Sequence, residues 1–363
     1  MPYPPTTPER PGRLTGPARA VLLSVALGTT AALTTACSGP GGVDLGTDWK
    51  GSSTFALAKV NGLVTVVGIN PDKSRAQSLA VVPQQADDDD SISPHIVRLA
   101  DGRWLLTVPR KGGKPDRRYE IDRKDHTLDG MTGDERLRRI LPGKTLVAEV
   151  AGLPDTKAAS GTADSSVLVR DPADWTTERE LKVPGTVTLA ASDAASDTVC
   201  LGSGSGTGTK ISAARLTDGR ITSVRVPSGL DVQDLACPSG HPVVVGSPAS
   251  GAPGKSGAVK VALRRDADAT AVSVDGGRAD AVAATGSSIV VAVAAGGDTE
   301  LVEVDATTGK ELHRARVKGL TGSLDLTHTS AGWLVYAENT VTRVDLTTGK
   351  AKRFDLPGTL LDS

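Results

Sequence analysis

The chain has 363 residues, a formal net charge of -1 and an aromatic content of only 2%. This near-neutral charge gives no reason to expect a nucleic-acid partner. The scarcity of aromatic side chains argues against a stacking platform for sugars or bases, which needs several aromatic residues on one face.

The N-terminal residues have the pattern of an export signal. Arg10, Arg13 and Arg19 make the leader positively charged, and its many prolines keep it extended. The uncharged run of residues 20–33 is too short for a membrane-spanning helix, which needs about 20 residues. We therefore predict that residues 1–36 are a cleavable signal peptide, and we expect no transmembrane helix after it.

The signal ends in the stretch LTTACS at residues 33–38. This stretch resembles the lipobox of bacterial lipoproteins, although Thr34 occupies the position where leucine is usual. The resemblance implies that Cys37 is acylated and anchors the protein to the outer face of the cell membrane. Several acyl chains hold a protein stably, since each buried methylene contributes about 0.8 kcal/mol. The alternative is ordinary signal cleavage near Ala36, with Cys37 left free. Residues 37–53, which are rich in glycine and serine, are predicted to form a flexible tether.

The two other cysteines, Cys200 and Cys237, form an even pair in a compartment that we expect to be oxidising. This favours a disulfide, which would stabilise the fold by about 4 kcal/mol on the chain-entropy model. The alternative is two buried thiols.

The mature chain contains repeats. Residues 301–310 (LVEVDATTGK) are echoed forty residues later by residues 341–350 (VTRVDLTTGK), and each copy lies between an apolar and a polar strand. A period of about 40–45 residues with several strands per unit is typical of propeller blades. We predict an all-β fold, a β-propeller of seven four-stranded blades over residues 54–358. The approximate blades are 54–92, 93–134, 135–185, 186–229, 230–277, 278–319 and 320–358. The alternative is a pair of β-sandwiches.

Apolar runs are predicted to be the inner strands of the blades, because strands covered on both faces consist of continuous Val, Ala and Leu. The predicted inner strands are residues 63–69, 104–108, 145–150, 198–201, 242–245, 289–293 and 333–337.

The two best repeats resemble the outer hairpin of YVTN and quinoprotein-type, WD40-like propeller repeats. The match covers residues 301–317 and 341–356. Quinoprotein repeats have a tryptophan three residues after the lysine, but His313 and Arg353 stand there in this chain. The resemblance therefore implies a propeller without the tryptophan-docked packing, and a propeller fold alone does not define a function.

Three patterns were weighed as chemical sites. Residues 249–256 (ASGAPGKS) fit a permissive phosphate loop, but a strand-like segment follows where a helix is required, which favours a hairpin loop. Asp87–Asp90 could attract calcium, but the spacing of a calcium loop is missing, which favours a solvated acidic loop. The histidines are expected to be separate packing or surface residues: His95, His126, His241, His313 and His328. No catalytic residue, metal ligand or cofactor is predicted.

These observations favour a membrane-anchored, extracytoplasmic lipoprotein whose propeller binds a protein or a small molecule through its loops. The second hypothesis is a propeller enzyme or cofactor binder of the quinoprotein or lactonase type. The third is a structural role within an envelope complex. An enzyme should bring Asp, Glu, His or Arg side chains together at one mouth of the central channel.

Overall fold

The computed structural model describes residues 43–44, 48–83, 94–108, 117–122, 127–131, 138–151, 164–205, 208–224, 226, 230–248, 258–265, 268–275 and 278–363. The predicted signal peptide, Cys37 and the acidic run Asp87–Asp90 lie outside these residues. Two compact units divide the chain at residues 38 and 39, and every described element belongs to the second. Within the described ranges, no helix has the length and apolar character needed to cross a membrane.

The described segments are almost entirely β-strands, with short 3₁₀ helices at Asp48–Gly51 and Pro238–Gly240. The strands up to residue 205 are β1 (Val43–Asp44), β2 (Thr54–Val60), β3 (Leu63–Asn70), β4 (Arg75–Val81), β5 (His95–Arg98), β6 (Trp104–Val108), β7 (Arg117–Asp122), β8 (Thr127–Met131), β9 (Arg138–Pro142), β10 (Val147–Ala151), β11 (Ser165–Arg170), β12 (Thr177–Val183), β13 (Thr186–Ser192) and β14 (Thr198–Ser205). The later strands are β15 (Gly208–Arg215), β16 (Ile221–Val224), β17 (Leu230–Ala236), β18 (Val243–Pro248), β19 (Ala258–Arg265), β20 (Asp268–Asp275), β21 (Ala279–Thr285), β22 (Ser288–Ala295), β23 (Asp298–Asp305), β24 (Glu311–Val317), β25 (Leu324–Thr329), β26 (Gly332–Ala337), β27 (Thr340–Asp345), β28 (Lys350–Asp355) and β29 (Thr359–Asp362).

These described strands form antiparallel sheets arranged as the blades of a β-propeller. Six sheets have four strands, in the orders β29-β2-β3-β4, β12-β11-β10-β9, β13-β14-β15-β16, β17-β18-β19-β20, β21-β22-β23-β24 and β25-β26-β27-β28. The remaining sheet has five strands, because β1 adds to its outer edge in the order β1-β8-β7-β6-β5. The predicted all-β propeller is confirmed, and the prediction of four strands per blade is right for six of these sheets.

The ring is closed by pairing between the two ends of the chain. The C-terminal strand β29 pairs with β2, so the sheet β29-β2-β3-β4 combines residues from both ends, and we call it the closing blade. Strand β29 lies beyond residue 358, where the last predicted blade ended. Apolar side chains fill the seams on both sides of this blade, including Phe55 against Trp104 and Leu334 beside Ile69.

The predicted inner strands lie inside the sheets, with a strand on either side, but they are not the strands that border the axis. The innermost strands are β5, β9, β13, β17, β21, β25 and β29, and neighbouring members of this set contact one another around the axis. The predicted apolar runs are the second strand of each blade, or the third in the case of residues 63–69. Second strands are covered on both faces and are mostly buried, as in Ile289–Val293, whereas the innermost strands border the axis and carry polar residues.

Strand direction gives the propeller two different faces. On one face, the second strand of each blade connects to the third, and each blade connects to the next. The long connections 82–94, 109–116, 152–164 and 249–257 all join strand ends on this face, and we call it the long-connection face. The opposite face has no connection longer than 171–176 or 237–242. Strand β2 begins on this opposite face, and we call it the tether face.

The predicted flexible tether is partly folded onto the propeller. Val43 pairs with Leu128 of β8, and the 3₁₀ helix Asp48–Gly51 contacts β3 and β4. Trp49 packs against the core between the closing blade and its neighbour. The chain therefore reaches the propeller on the tether face before β2 begins.

Candidate ligand site at the propeller axis

Three aspartates lie at equivalent positions of three innermost strands. They are Asp234 of β17, Asp325 of β25 and Asp362 of β29. Asp234 and Asp362 each follow a register shift in the pairing of their strand with the second strand of the blade. Such a bulge re-aims the side chain next to it, so these carboxylates reach beyond their own sheet.

Asp234 joins two neighbouring blades. Its Oδ1 accepts a hydrogen bond of 2.8 Å from the amide of Leu235, the next residue in its own strand. Its Oδ2 accepts a bond of 3.1 Å from the amide of Val282 on the neighbouring innermost strand β21. The Asp234 carboxylate therefore links β17 to β21 by hydrogen bonds.

The other two aspartates repeat this arrangement around the closing blade. Asp325 accepts bonds of 2.8 Å from the amide of Leu326 and 2.7 Å from the hydroxyl of Ser363. Asp362 accepts a bond of 2.7 Å from the amide of Ile96 on β5. Each carboxylate thus binds the next innermost strand, and two of the three contacts hold the C-terminal end of the chain in the ring.

His95 extends this cluster to the blade that follows. Its Nδ1 lies 2.7 Å from Oδ2 of Asp362, and its Nε2 lies 3.2 Å from the carbonyl oxygen of Ile140 on β9. Each ring nitrogen thus contacts an oxygen on a different strand. His95 therefore bridges β29 and β9, the innermost strands on either side of its own strand β5.

Burial and neighbouring charges act on these carboxylates in opposite directions. Burial, and then the charge of Asp362, raise the pKa of Asp325 to about 6, while its hydrogen bonds and Arg139 lower it. Burial also raises the pKa of Asp234, and Arg139 again opposes the shift. Arg139 of β9 thus acts on carboxylates from two other blades. We call Asp234, Asp325, Asp362, His95 and Arg139 the axial cluster.

A cavity of about 490 Å³ opens beside the axial cluster, on the long-connection face. It lies in the seam between β25 and β29 and includes Asp325 and Glu338 among its lining residues. The backbone of Glu338 has a positive φ of 36°, and its carbonyl accepts a hydrogen bond of 2.6 Å from the amide of Leu360. This contact fixes the Glu338 turn against the closing strand, so one wall of the cavity is held rigidly. The remaining lining residues are hydroxyl, glycine or leucine residues: Thr321, Gly322, Ser323, Leu324, Thr359, Leu360 and Leu361.

The predicted disulfide between Cys200 and Cys237 is confirmed. Cys200 lies on β14 and Cys237 directly follows β17, with 5.6 Å between their Cα atoms. Both residues are fully buried in an apolar cluster between two adjacent blades. The disulfide therefore acts as a covalent joint between neighbouring blades.

The other predicted candidates do not gather at one place. Of the described histidines only His95 belongs to the axial cluster; His313 lies 2.9 Å from Glu303 and His328 packs against Trp333. Residues 249–256 and His126 lie outside the described residues, although the segment after residue 257 is strand β19, as predicted. No group of three or more potential metal ligands occurs in the part of the chain that the structure describes.

The three axial aspartates and Arg139 were not predicted from the sequence. A signal for the aspartates was present, because Asp234 and Asp325 each precede a leucine in the first strand of a blade, 91 residues apart, about two blade lengths. Asp362 occurs 37 residues after Asp325, close to one blade length. Extending the repeat beyond residue 358 would have revealed this position.

Comparison with known proteins gives the fold. No protein-family model and no curated protein matches the sequence. Among solved structures, the chain is similar to a candidate 6-phosphogluconolactonase from Bacteroides uniformis ATCC 8492, with a TM-score of 0.56 and 11% identity over 84% of this chain and 97% of that one. It is also similar to a protein of unknown function from Desulfotomaculum acetoxidans DSM 771, with a TM-score of 0.55 and 10% identity over 86% and 98% of the two chains.

The chain also matches two acylaminoacyl peptidases, one of them from Pyrococcus horikoshii, and spans about half of their length, 54% and 49%. At 10% and 11% identity, the similarity to the Desulfotomaculum and Bacteroides structures establishes a β-propeller and nothing about activity. The class of protein defined by the fold is therefore the β-propeller proteins, and the YVTN-like repeat stays a prediction.

Proposed function

We propose that this protein is a membrane-anchored, extracytoplasmic binding module that presents the long-connection face of its propeller to a ligand. The observation that carries the proposal is the asymmetry between the two faces. The long connections and the cavity of about 490 Å³ occur on the same face. Connections on a rigid scaffold are where binding residues usually lie, and pockets of about 300–1,000 Å³ accommodate small ligands.

The lining of the cavity supports a ligand that carries a positively charged group. Asp325 and Glu338 contribute carboxyl groups, and none of the residues that line the cavity is Lys or Arg. Three leucines and several hydroxyl groups complete the lining, which suits a small amine-bearing molecule or the amino end of a peptide.

The position of the tether supports an orientation in which this face points away from the membrane. The chain between Cys37 and Val43 spans at most about 21 Å. A lipid on Cys37 would thus hold the tether face close to the membrane surface, since Val43 pairs with β8 on that side. The Cys200–Cys237 disulfide supports an oxidising compartment outside the cytoplasm.

Paired photo-crosslinking in intact cells tests this proposal. A photo-crosslinking residue replaces Ser323, at the cavity on the long-connection face, or Thr347, in the connection between β27 and β28 on the tether face. Both positions are exposed and belong to the same blade. We expect a specific partner to crosslink at Ser323 and not at Thr347. Crosslinking confined to Thr347, or the same products at both positions, would contradict the proposed binding face.

The second candidate function is a propeller enzyme of the lactonase type. It is favoured by the axial cluster, which brings His95, Arg139 and three aspartates from different blades together. Against it, the three carboxylates accept hydrogen bonds that hold the ring together, which leaves them less available for proton transfer. Hydrolysis of lactones by the purified protein, lost in a His95→Gln variant that remains folded, would favour the enzyme.

A further inference from the structure

A second pocket, of about 210 Å³, lies on the closing blade where the tether meets the propeller. Every side chain that lines it is either positively charged or able to donate a hydrogen bond, and none is a carboxylate. The lining residues are Gly51, Ser52, Gly68, Asn70, Lys73, Arg75 and Gln77. From this arrangement we infer that the pocket binds the oxyanion of a phosphate group.

The side chain of Asn70 is oriented with its donor toward the pocket. Its Oδ1 accepts a hydrogen bond of 3.0 Å from the backbone amide of Lys73, which leaves Nδ2 on the opposite side of the amide group. A Cβ atom added at Gly51 would lie 2.9 Å from Nδ2 of Asn70. Glycine at position 51 therefore keeps this donor accessible.

A second glycine shapes the floor of the pocket. A Cβ atom at Gly68 would lie only 2.2 Å from the hydroxyl oxygen of Ser52. The absence of a side chain at Gly68 therefore leaves the space in which Ser52 contacts β3. The amide of Ser53 donates a bond of 2.9 Å to the carbonyl of Ile69, which holds the segment in place. Ser52 is only 5% exposed, so the floor of the pocket is buried, whereas its charged rim is exposed.

The charge around the pocket is positive. Lys73 and Arg75 are exposed at its rim, and the acidic neighbour Asp72 lies 3.7 Å from the guanidinium of Arg343 on the next blade. The outer strand β28 of that blade contacts β4 and carries exposed Lys350 and Lys352, which do not line the pocket. Asp355 is also exposed on β28, so the surface is positive in balance rather than free of acidic groups. A phosphate group fits such a site, because charged and amide donors converge on it.

This inference rests in part on the proposed anchoring through Cys37. If the lipid holds the tether face near the membrane, the phosphate groups of lipid headgroups are the nearest source of this ligand. Free inorganic phosphate is the other source. The chemistry that the pocket recognises is the same in both cases, so the experiment must distinguish them.

Amine-reactive labelling of the full, membrane-anchored protein provides this test. The labelling rate of Lys73 is measured by peptide mass spectrometry, with Lys350 and Lys352 as internal controls on the adjacent strand. One arm uses protein in neutral detergent with and without inorganic phosphate, and the other uses protein in phosphate-free buffer in vesicles of a neutral galactosyl diacylglycerol, which carries no phosphate, with and without phosphatidylglycerol. We expect labelling of Lys73 to fall at least threefold in one arm while the labelling of Lys350 and Lys352 changes little. Protection in vesicles assigns lipid headgroups, and protection only in detergent assigns free phosphate.

Two variants separate a built pocket from diffuse charge. Gly51→Ala keeps every charge but places a methyl group against Asn70, and it should abolish the protection of Lys73. The double variant Lys350→Gln/Lys352→Gln removes two charges outside the pocket and should retain it. The inference is overturned by equal labelling in all conditions, by unchanged protection in Gly51→Ala, or by loss of protection in the double variant. Crosslinking at Ser323 is measured in the same variants and should be unaffected, so failure of the pocket is distinguishable from failure of the proposed binding face.

Discussion

The hydroxyl of Ser363 donates a hydrogen bond of 2.7 Å to Oδ2 of Asp325, so the last residue of the chain is bound to the first strand of the neighbouring blade. Together with the contact between Asp362 and Ile96, this bond places the C-terminal strand between two blades and completes the ring. The circular architecture is thus held at one seam by pairing between β29 and β2 and by two carboxylates.

Removing the closing strand should destabilise the whole propeller. Truncation after residue 358 deletes β29, which exposes the edge of β2 and removes the partners of Asp325 and His95. We expect a large loss of the free energy of unfolding in urea, or failure to fold. The matched variant Ser363→Ala removes one hydrogen bond and should cost only about 1 kcal/mol. Equal stabilities of the truncated and full chains would show that β29 does not close the ring.

Replacing Asp325 by asparagine should change how stability depends on pH. The folded protein holds the Asp325 proton more tightly than the unfolded chain, because its pKa rises from 3.8 to about 6. This group therefore supports folding most at low pH, and its contribution falls as the pH rises from about 4 to about 6. Asparagine does not titrate, so the Asp325→Asn variant does not lose this contribution to stability as the pH rises. The stability of Asp325→Asn relative to the original protein should increase by about 1–3 kcal/mol between pH 4 and pH 7.5.

Urea unfolding at several pH values measures this difference. Asp355→Asn, at an exposed position on β28, controls for the exchange of a carboxylate for an amide. A relative stability of Asp325→Asn that is constant from pH 4 to pH 7.5 would contradict a buried, proton-binding Asp325.

The sequence was sufficient for the architecture because repetition and strand patterning are local properties. The paired repeats at residues 301–310 and 341–350 correspond to β23 and β27 with their following turns, and both turns are fixed by an aspartate, Asp305 or Asp345, that binds the backbone two and three residues later. The innermost strands could not be assigned in this way. Burial between two neighbours makes the second strand the most apolar, whereas the first strand faces the axis and has a mixed sequence.

The axial cluster was not predictable from local patterns because its members come from different blades. Arg139 and Asp325 are far apart in sequence, and only closure of the ring brings them into electrostatic contact. Arg139 lies on strand β9, as the second residue of Arg138–Pro142. The pairing of Cys200 with Cys237 was easier to predict, since only two cysteines remain after Cys37 is assigned to the lipid.

Loss of the disulfide should weaken the seam between its two blades. The bond joins residues 37 positions apart, and cross-linking a loop of this size stabilises by about 4 kcal/mol on the chain-entropy model. We expect the variant Cys200→Ser/Cys237→Ser to lose about 2–5 kcal/mol of unfolding free energy, partly because two hydroxyl groups then occupy a fully buried apolar cluster.

The double variant Cys200→Ala/Cys237→Ala avoids this polar burial and isolates the effect of the cross-link. Reductant should destabilise the original protein and leave both variants unchanged; a reductant effect in the variants would point to another cause.

Replacing Cys37 by serine should release the protein from the membrane if the lipid is its anchor. Serine cannot carry the thioether-linked lipid. The expected result is a shift of most of the protein from the membrane fraction to the soluble fraction, together with loss of the acyl mass in intact-protein mass spectrometry. Ser38→Ala, the adjacent substitution, should leave the protein in the membrane fraction with its lipid. If Cys37→Ser keeps the protein in the membrane fraction after a high-salt wash, then the attachment depends on something other than Cys37, and the orientation proposed for the tether face loses its support.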